Sequence, residues 1–390
     1  MRVAVLGAGY AGLTLARKLE RTLPDDAELV VVDESDSHVV QHELHRVVRR
    51  PSLADEISVD LDAVLDCELR RASVTAVDPD AGTATLGGGE TLSYDVGAVC
   101  LGARTAFYDL PGVRAHATPL KRLDHAREIR ESFLALSGGR VVVGGAGLSG
   151  VQVAGELAAL RDEEGTETEV LLLEQEAEVA PTFPESFQTA VHDALLDAGV
   201  TVRTGESVTQ ADEDTLSLAS GETIAYDQLV WTGGITGTEA MRDERPVVRA
   251  DLRLGERTFA VGDAARVVDS DGEAVPASAS AAIREARVAG SNIAALVDHL
   301  HDGRGGFEPR LTRYSFDVPG WLVSVGDDAV AKVGPTVLTG RPALALKTTV
   351  GAGYLGSVGA VENAVDLVRE ELDVAVEDSE IDEGLPETEE

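Results

Sequence analysis

The chain has 390 residues, enough for two or three domains with cores of their own, and 44% of them are hydrophobic. Its charge is one-sided: 69 acidic residues against 33 basic ones leave a formal net charge of −36, and Lys is confined to Lys18, Lys121, Lys332 and Lys347. Such a balance argues against nucleic acid as a partner and predicts a protein of a salt-rich cytoplasm, where screening moderates the self-repulsion. Cys67 and Cys100 are too far apart for a CxxC redox pair or a Cys-based zinc site, and no metal site is expected. There is no run of about 18 or more apolar residues. With the first strand beginning at residue 2, the expectation is a cytoplasmic protein that at most touches the inner membrane face.

In chain order, Arg2–Leu6 reads as a buried strand, a glycine turn follows, and Ala11 to about Leu23 carries helical periodicity until Pro24-Asp25-Asp26 breaks it. Glu28–Val32 returns as a strand, which completes a β-α-β unit. Ala72–Val77 and Thr83–Leu86 look like hairpin strands, and Tyr94–Leu101 like a buried strand ending at Gly102. A second copy of the pattern starts at Arg140–Val143, turns at Gly144–Gly150, runs as a helix through Leu160 and returns at Val170–Leu173. Val200–Arg203, Thr215–Ala219 and Tyr226–Trp231 then repeat the β-rich stretch of the first copy. Residues 306–357 read as β-rich with a helix or two, Val361–Leu372 as an acidic helix, and the end from about Glu377 as a disordered acidic tail.

Three segments carry chemistry. Gly7-Ala8-Gly9-Tyr10-Ala11-Gly12 matches G-x-G-x-x-G between strand and helix. In that pattern Gly7 allows the turn, Gly9 lets the backbone approach a pyrophosphate, and Gly12 lets helix and strand pack closely. Asp33 ends the return strand, where a carboxylate takes ribose hydroxyls. Gly145-Ala146-Gly147-Leu148-Ser149-Gly150 repeats the pattern, closed by Glu174. A carboxylate there repels a 2′-phosphate and favours NAD(H) over NADP(H). In the third, the strand at Phe259–Val261 leads into Gly262-Asp263-Ala264, whose acid suits a ribityl chain in this context.

Taken together, these segments resemble the two-dinucleotide flavoproteins and, among them, the type II (non-proton-pumping) NADH dehydrogenases. The resemblance rests on the two glycine turns, Asp33 to His45, Cys100-Leu101-Gly102, Leu110-Pro111-Gly112, Trp231-Thr232-Gly233-Gly234 and Gly262-Asp263-Ala264. It spans residues 1 to about 300, more loosely to about 357. It implies an α/β fold with two Rossmann-like dinucleotide-binding domains and a smaller C-terminal α+β region. The expected division is an FAD-binding domain over 1–113 and 237–305, an NAD-binding domain over 114–236, a C-terminal domain over 306–376 and the tail at 377–390. FAD is the implied cofactor, held by Gly7, Gly9, Tyr10, Ala11, Gly12, Asp33, Gly102, Gly262 and Asp263. NADH is the implied substrate, held by Gly145, Gly147, Gly150, Glu174 and Gly233.

Gln152 stands where the family usually has a Glu near the nicotinamide, and Glu156 is kept one turn later. These two, with His42 and Glu43 beside the flavin, are the candidate catalytic residues. Ser280 and Arg284 replace the two glutamines of the family's quinone-site Ala-Gln-x-x-x-Gln. Quinone is the expected electron acceptor, with a soluble protein acceptor such as a ferredoxin or rubredoxin, or a non-catalytic NADH-responsive role, as alternatives. Peripheral membrane contact, with Ala343–Val358 as its candidate surface, and a homodimer complete the expectations. His38, His42 and His45 fall at helical spacing that would put them on one face, and are expected to line the flavin pocket.

Overall fold

A computed structural model describes residues 1–301, 307–318 and 320–368. The first half of the chain builds β1 (Arg2–Leu6), α1 (Tyr10–Glu20), β2 (Glu28–Asp33), β3 (Glu68–Arg71), β4 (Val96–Val99), β5 (Ala117–Pro119), α2 (Leu123–Leu134), β6 (Gly139–Gly144) and α3 (Leu148–Glu164). Then come β7 (Thr168–Leu173), α4 (Glu185–Asp197), β8 (Thr201–Arg203), β9 (Gln228–Trp231), β10 (Thr258–Ala260) and α5 (Ala279–His301). The C-terminal part holds β11 (Gly320–Val325), β12 (Asp328–Val333), β13 (Thr336–Thr339) and α6 (Arg341–Ser357).

Two five-stranded parallel sheets organise these elements, in the orders β10-β4-β1-β2-β3 and β5-β9-β6-β7-β8. Their central strands are apolar on both faces, and Val3 to Leu6, Val30 to Val32 and Val141 to Val143 are fully buried. Parallel strands need this, because the crossover helices cover the sheet on both sides. In α1, Leu13, Leu15, Ala16 and Leu19 are fully buried and α5 packs alongside. Arg17 and Lys18 in the last turn suit the helix dipole.

Register decides where ligands can bind. Leu6 lies opposite Val32 and Val99, and Val99 opposite Ala260. Gly7, Asp33, Cys100 and Val261 therefore leave the first sheet together at its carboxyl edge. In the second sheet Gly144 lies opposite Leu173 and Trp231, so Gly145, Glu174 and Thr232 emerge together. The carboxyl edge of an open parallel sheet is where this architecture places its crevice.

Each sheet also carries a three-stranded antiparallel meander: Val74–Asp78, Thr83–Leu86 and Thr91–Ser93 in one copy, Val208–Ala211, Thr215–Leu218 and Thr223–Ala225 in the other. The third strand of each is too short for its alternation to stand out from the turns beside it. The two passages of chain between the sheets pair as short antiparallel strands, Arg104–Thr105 with Ile235–Thr236.

Strands β11–β13 form an antiparallel sheet that α6 covers. It seats closely on α3: a Cβ at Gly155 would lie 2.5 Å from the Gly326 amide nitrogen. Residues 361–368 are helical; the rest of the expected Val361–Leu372 helix and the 377–390 tail lie outside the described residues. No helix among the described residues is long and apolar enough to cross a membrane.

Candidate functional site

The two glycine turns have the same geometry. Gly7 has φ +103° and Gly145 φ +96°, a region that disfavours a side chain. At Gly12 and Gly150 a Cβ would lie 1.7 and 1.8 Å from the carbonyl oxygens of Gly7 and Gly145, so only hydrogen fits. At Gly9 and Gly147, by contrast, a Cβ would meet nothing within 4 Å. That open space lies at the N-termini of α1 and α3, which have neither a side-chain cap nor an acid in the first turn. The uncapped first-turn N–H groups fit a pyrophosphate.

The closing acids are held alike. Asp33 accepts hydrogen bonds from the Ala8 N–H at 2.6 Å and the Ser35 N–H at 2.9 Å. Glu174 accepts from the Ala146 N–H at 2.7 Å and the Glu176 N–H at 3.0 Å. Each carboxylate is thereby fixed beside its glycine turn. Burial pushes the Asp33 carboxyl above its ordinary value, although the Ser35 and Ala8 amides oppose the rise. Asp33, Ser35, Arg70 and Arg71 line a small cavity. Near Glu174, Arg203 is held by Glu206 at 2.5 Å and Glu222 at 2.8 Å, and so is not free to receive a 2′-phosphate.

At the other side of the first turn, Gly262 takes φ +68°, and a Cβ on it would press on Ala11 of α1 and Ala282 of α5 at 3.1 and 3.2 Å. The Gly262 N–H donates to Glu285 at 2.7 Å. Gly262, Asp263, Arg245, Ser278 and Glu285 line one cavity, and Arg245 donates to the Asp263 and Ala265 carbonyls. Sequence reasoning passed over Glu285 and Arg245. The signal for Glu285 was a carboxylate on the Ala-rich side of a helix, among Ala281, Ala282, Ala286 and Ala289.

His42, Glu43 and Glu156 come together in a buried charged cluster where α3, α6 and the one-turn helix Arg46–Arg49 meet. Lys347 lies 3.0 Å from Glu43, Arg46 3.3 Å from Glu43, and Arg49 2.9 Å from Glu156. Burial raises the Glu43 carboxyl, but Lys347, His42 and Arg46 outweigh it and hold the group well below the usual carboxylate range. Glu156 moves up instead: burial raises it, and the nearby Arg49, Lys347 and Arg46 only partly oppose the rise. Gln152, one turn earlier on α3, is half-buried. Lys347 was missed, although a lysine inside the apolar run of Ala343 to Leu355 marked it.

The three histidines do not share a helix face, which corrects the expectation from their spacing. His38 lies in the strand Ser37–Val39, His42 in a 3-10 turn and His45 at the start of the Arg46–Arg49 helix. The tertiary setting overrides the periodicity: His38 bonds Tyr354 at 2.8 Å, His42 bonds Tyr10 at 2.5 Å, and His45 turns to Ser324 at 2.7 Å. Burial lowers His38 to about 3 and lowers His42 as well, so neutral imidazoles are favoured. Ser280 and Arg284 lie on the first turns of α5 away from this cluster, and Arg284 donates to the Asp317 carbonyl. Tyr354 and Leu355 are buried and Val350 is exposed, so α6 puts most of its apolar side into the protein.

Twin uncapped glycine turns, each closed by an amide-bound acid, define a two-nucleotide oxidoreductase class. Residues 1–286 match the pyridine nucleotide-disulphide oxidoreductase family, and the chain belongs to that family. It is 30% identical over 285 residues to an NADH dehydrogenase-like protein of Mycobacterium tuberculosis, covering 68% of this chain and 70% of that one. It is 24% identical over 397 residues to a type II NADH:quinone oxidoreductase of Staphylococcus aureus, covering 92% and 96%. The NDH2 structure from Plasmodium falciparum in complex with NADH superposes with a TM-score of 0.81 at 14% identity, over 96% of this chain and 98% of that one, a likeness of fold.

Proposed function

We propose that the chain is an FAD-dependent NADH dehydrogenase that passes hydride from NADH to flavin and two electrons on to a quinone, without proton pumping. The observation that carries this reading is the pair of glycine turns, alike in conformation, open space and bound acid. Relatives named for NADH and quinone, matched over most of their lengths, support the same activity. We assign FAD to residues 1–113 with 237–305, NADH to 114–236, and the C-terminal part from 306 to the seating of the two on each other.

When bound, the flavin supplies the redox chemistry, taking hydride from NADH and returning two electrons to the acceptor. The protein binds, orients and excludes water. Gly9, Tyr10, Ala11 and Gly12 present the α1 amides to the FAD pyrophosphate, Asp33 takes the ribose, and Gly102, Gly262 and Asp263 border the ribityl chain and ring. Gly145, Gly147, Gly150 and Gly233 shape the NADH turn, and Glu174 takes its adenosine ribose. Gln152 meets the nicotinamide. Glu156 acts through Arg49 as a positioning residue, and His42 and Glu43 set the charge beside the ring from the cluster that Lys347 closes. Ser280 and Arg284 flank the acceptor side, and Val350 on α6 gives a starting point for peripheral contact with the inner membrane face.

The test is anaerobic addition of NADH to the FAD-loaded protein in molar salt, followed by a water-soluble quinone. Flavin bleaching by NADH and turnover with the quinone are expected. Bleaching without quinone turnover would overturn the acceptor, and turnover with a ferredoxin alone would replace it. Vesicle co-sedimentation and light scattering test the membrane contact and a homodimer.

A further inference from the structure

Glu285 is a buried carboxylate with no part in the reading above. It is 2% exposed, and its carboxyl accepts the Gly262 N–H at the turn where α1, β10 and α5 converge. It also lines the cavity that Gly262 and Asp263 border. The ionisable groups facing it are Asp263, Arg245, Cys100 and Tyr314. Of these, Arg245 is the only cation, and its Nε and Nη2 donate to the carbonyls of Asp263 and Ala265. Among the described residues Glu285 forms no ion pair; its carboxyl accepts the Gly262 N–H. A second negative charge arriving in this cleft is offset only by Arg245 and the N-terminus of α5.

We infer that Glu285 is a redox-linked proton site, taking one proton from solvent when the bound flavin is reduced and releasing it when the flavin is reoxidised. Desolvation pushes the carboxyl up to about 7, the Gly262 N–H opposing and Asp263 adding to the rise, so the group is poised near neutrality before any electron arrives. Added negative charge in a low-dielectric cleft raises its proton affinity further.

The balance is closed. NADH delivers two electrons and one proton as hydride, and Glu285 takes a second proton from water. On reoxidation the two electrons and the hydride's proton pass to the quinone, which draws its other proton from solvent. Glu285 returns its proton, and the sum is NADH, quinone and one proton going to NAD and quinol. The partly exposed Arg245 and Ser278 lie at the cavity rim and give Glu285 a way to exchange protons with water.

The inference rests on flavin occupying this cleft. Its test is a dye-coupled titration of the flavin midpoint potential from about pH 5 to about pH 9. Above about pH 7 the slope in the unaltered protein should correspond to two protons per two electrons, and in Glu285→Gln to one. The Gln amide oxygen still accepts the Gly262 N–H, so a purely structural role would leave the slope unchanged. Equal slopes in the two proteins would overturn the inference. If the variant does not hold FAD, the reduced-minus-oxidised infrared spectrum of the unaltered protein decides. A protonated-carboxyl band that grows on reduction at about pH 8 supports the inference, and its absence overturns it. A preparation that binds no flavin fails the parent reading instead.

Discussion

Gly9 and Gly12 share one turn of backbone and answer to different constraints. Gly12 is closed by the protein itself, with the Gly7 carbonyl oxygen 1.7 Å from where a Cβ would stand. Gly9 is open, with nothing within 4 Å. Gly12→Ala is expected to cost about 3 kcal/mol or more of folding stability, since backbone must move. Gly9→Ala should leave the unfolding midpoint of the FAD-free protein within a degree or two, roughly the effect of a surface change. It should weaken FAD binding by about tenfold. Thermal unfolding without FAD and a fluorescence titration with FAD separate the two. Glu43 and Glu285 make the opposite pair among the acids. Glu43 lies below its ordinary value of 4.5, so its contribution to stability is complete above that pH and is lost as pH falls toward its folded value. Glu43→Gln leaves Lys347 without its 3.0 Å partner and is expected to destabilise by about 3–5 kcal/mol near pH 7. The difference should narrow in acid, which denaturant melts across pH will show. Glu285 lies above its ordinary value, at about 7 against 4.5. The folded state then keeps its proton while the unfolded chain loses it, so stability falls between those two pH values and is level above them. Glu285→Gln should accordingly be more stable than the parent at pH 8, by roughly 1–3 kcal/mol, and close to it below about pH 4.5.

Among the elements, the two β-α-β units carry the proposed nucleotide sites. The strands, the turns and the acids Asp33 and Glu174 were legible because each depends on a few consecutive residues. Glu285 and Lys347 were not, because their partners lie on other elements: Gly262 lies 23 residues before Glu285, and Glu43 is more than 300 residues before Lys347. The His38, His42 and His45 spacing misled for the same reason, since contacts with Tyr354, Tyr10 and Ser324 fix a strand, a turn and a helix start instead. At the second unit the proposed preference for NADH rests on Glu174, with Arg203 tied to Glu206 and Glu222. Glu174→Gln keeps an acceptor for the Ala146 N–H and removes the charge. It should narrow the preference for NADH over NADPH by about tenfold in kcat/KM, which parallel assays with both nucleotides will measure.

Over the whole molecule, a net charge of −36 makes stability a function of ionic strength. Screening lengths fall from about 10 Å at 0.1 M salt to about 3 Å at 1 M. The unfolding midpoint is expected to rise by roughly 10 °C or more over that range, and differential scanning calorimetry in KCl would show it. A flat response would remove the salt-rich setting. The sequence by itself determined the α/β class, the repeated unit and its nucleotide turns, because local periodicity and short-range backbone constraints write them into adjacent residues. Only the tertiary structure decided which charges are buried together and which oppose the usual titration. Burial and pairing join residues far apart in the chain, and desolvation acts only where the fold has removed water.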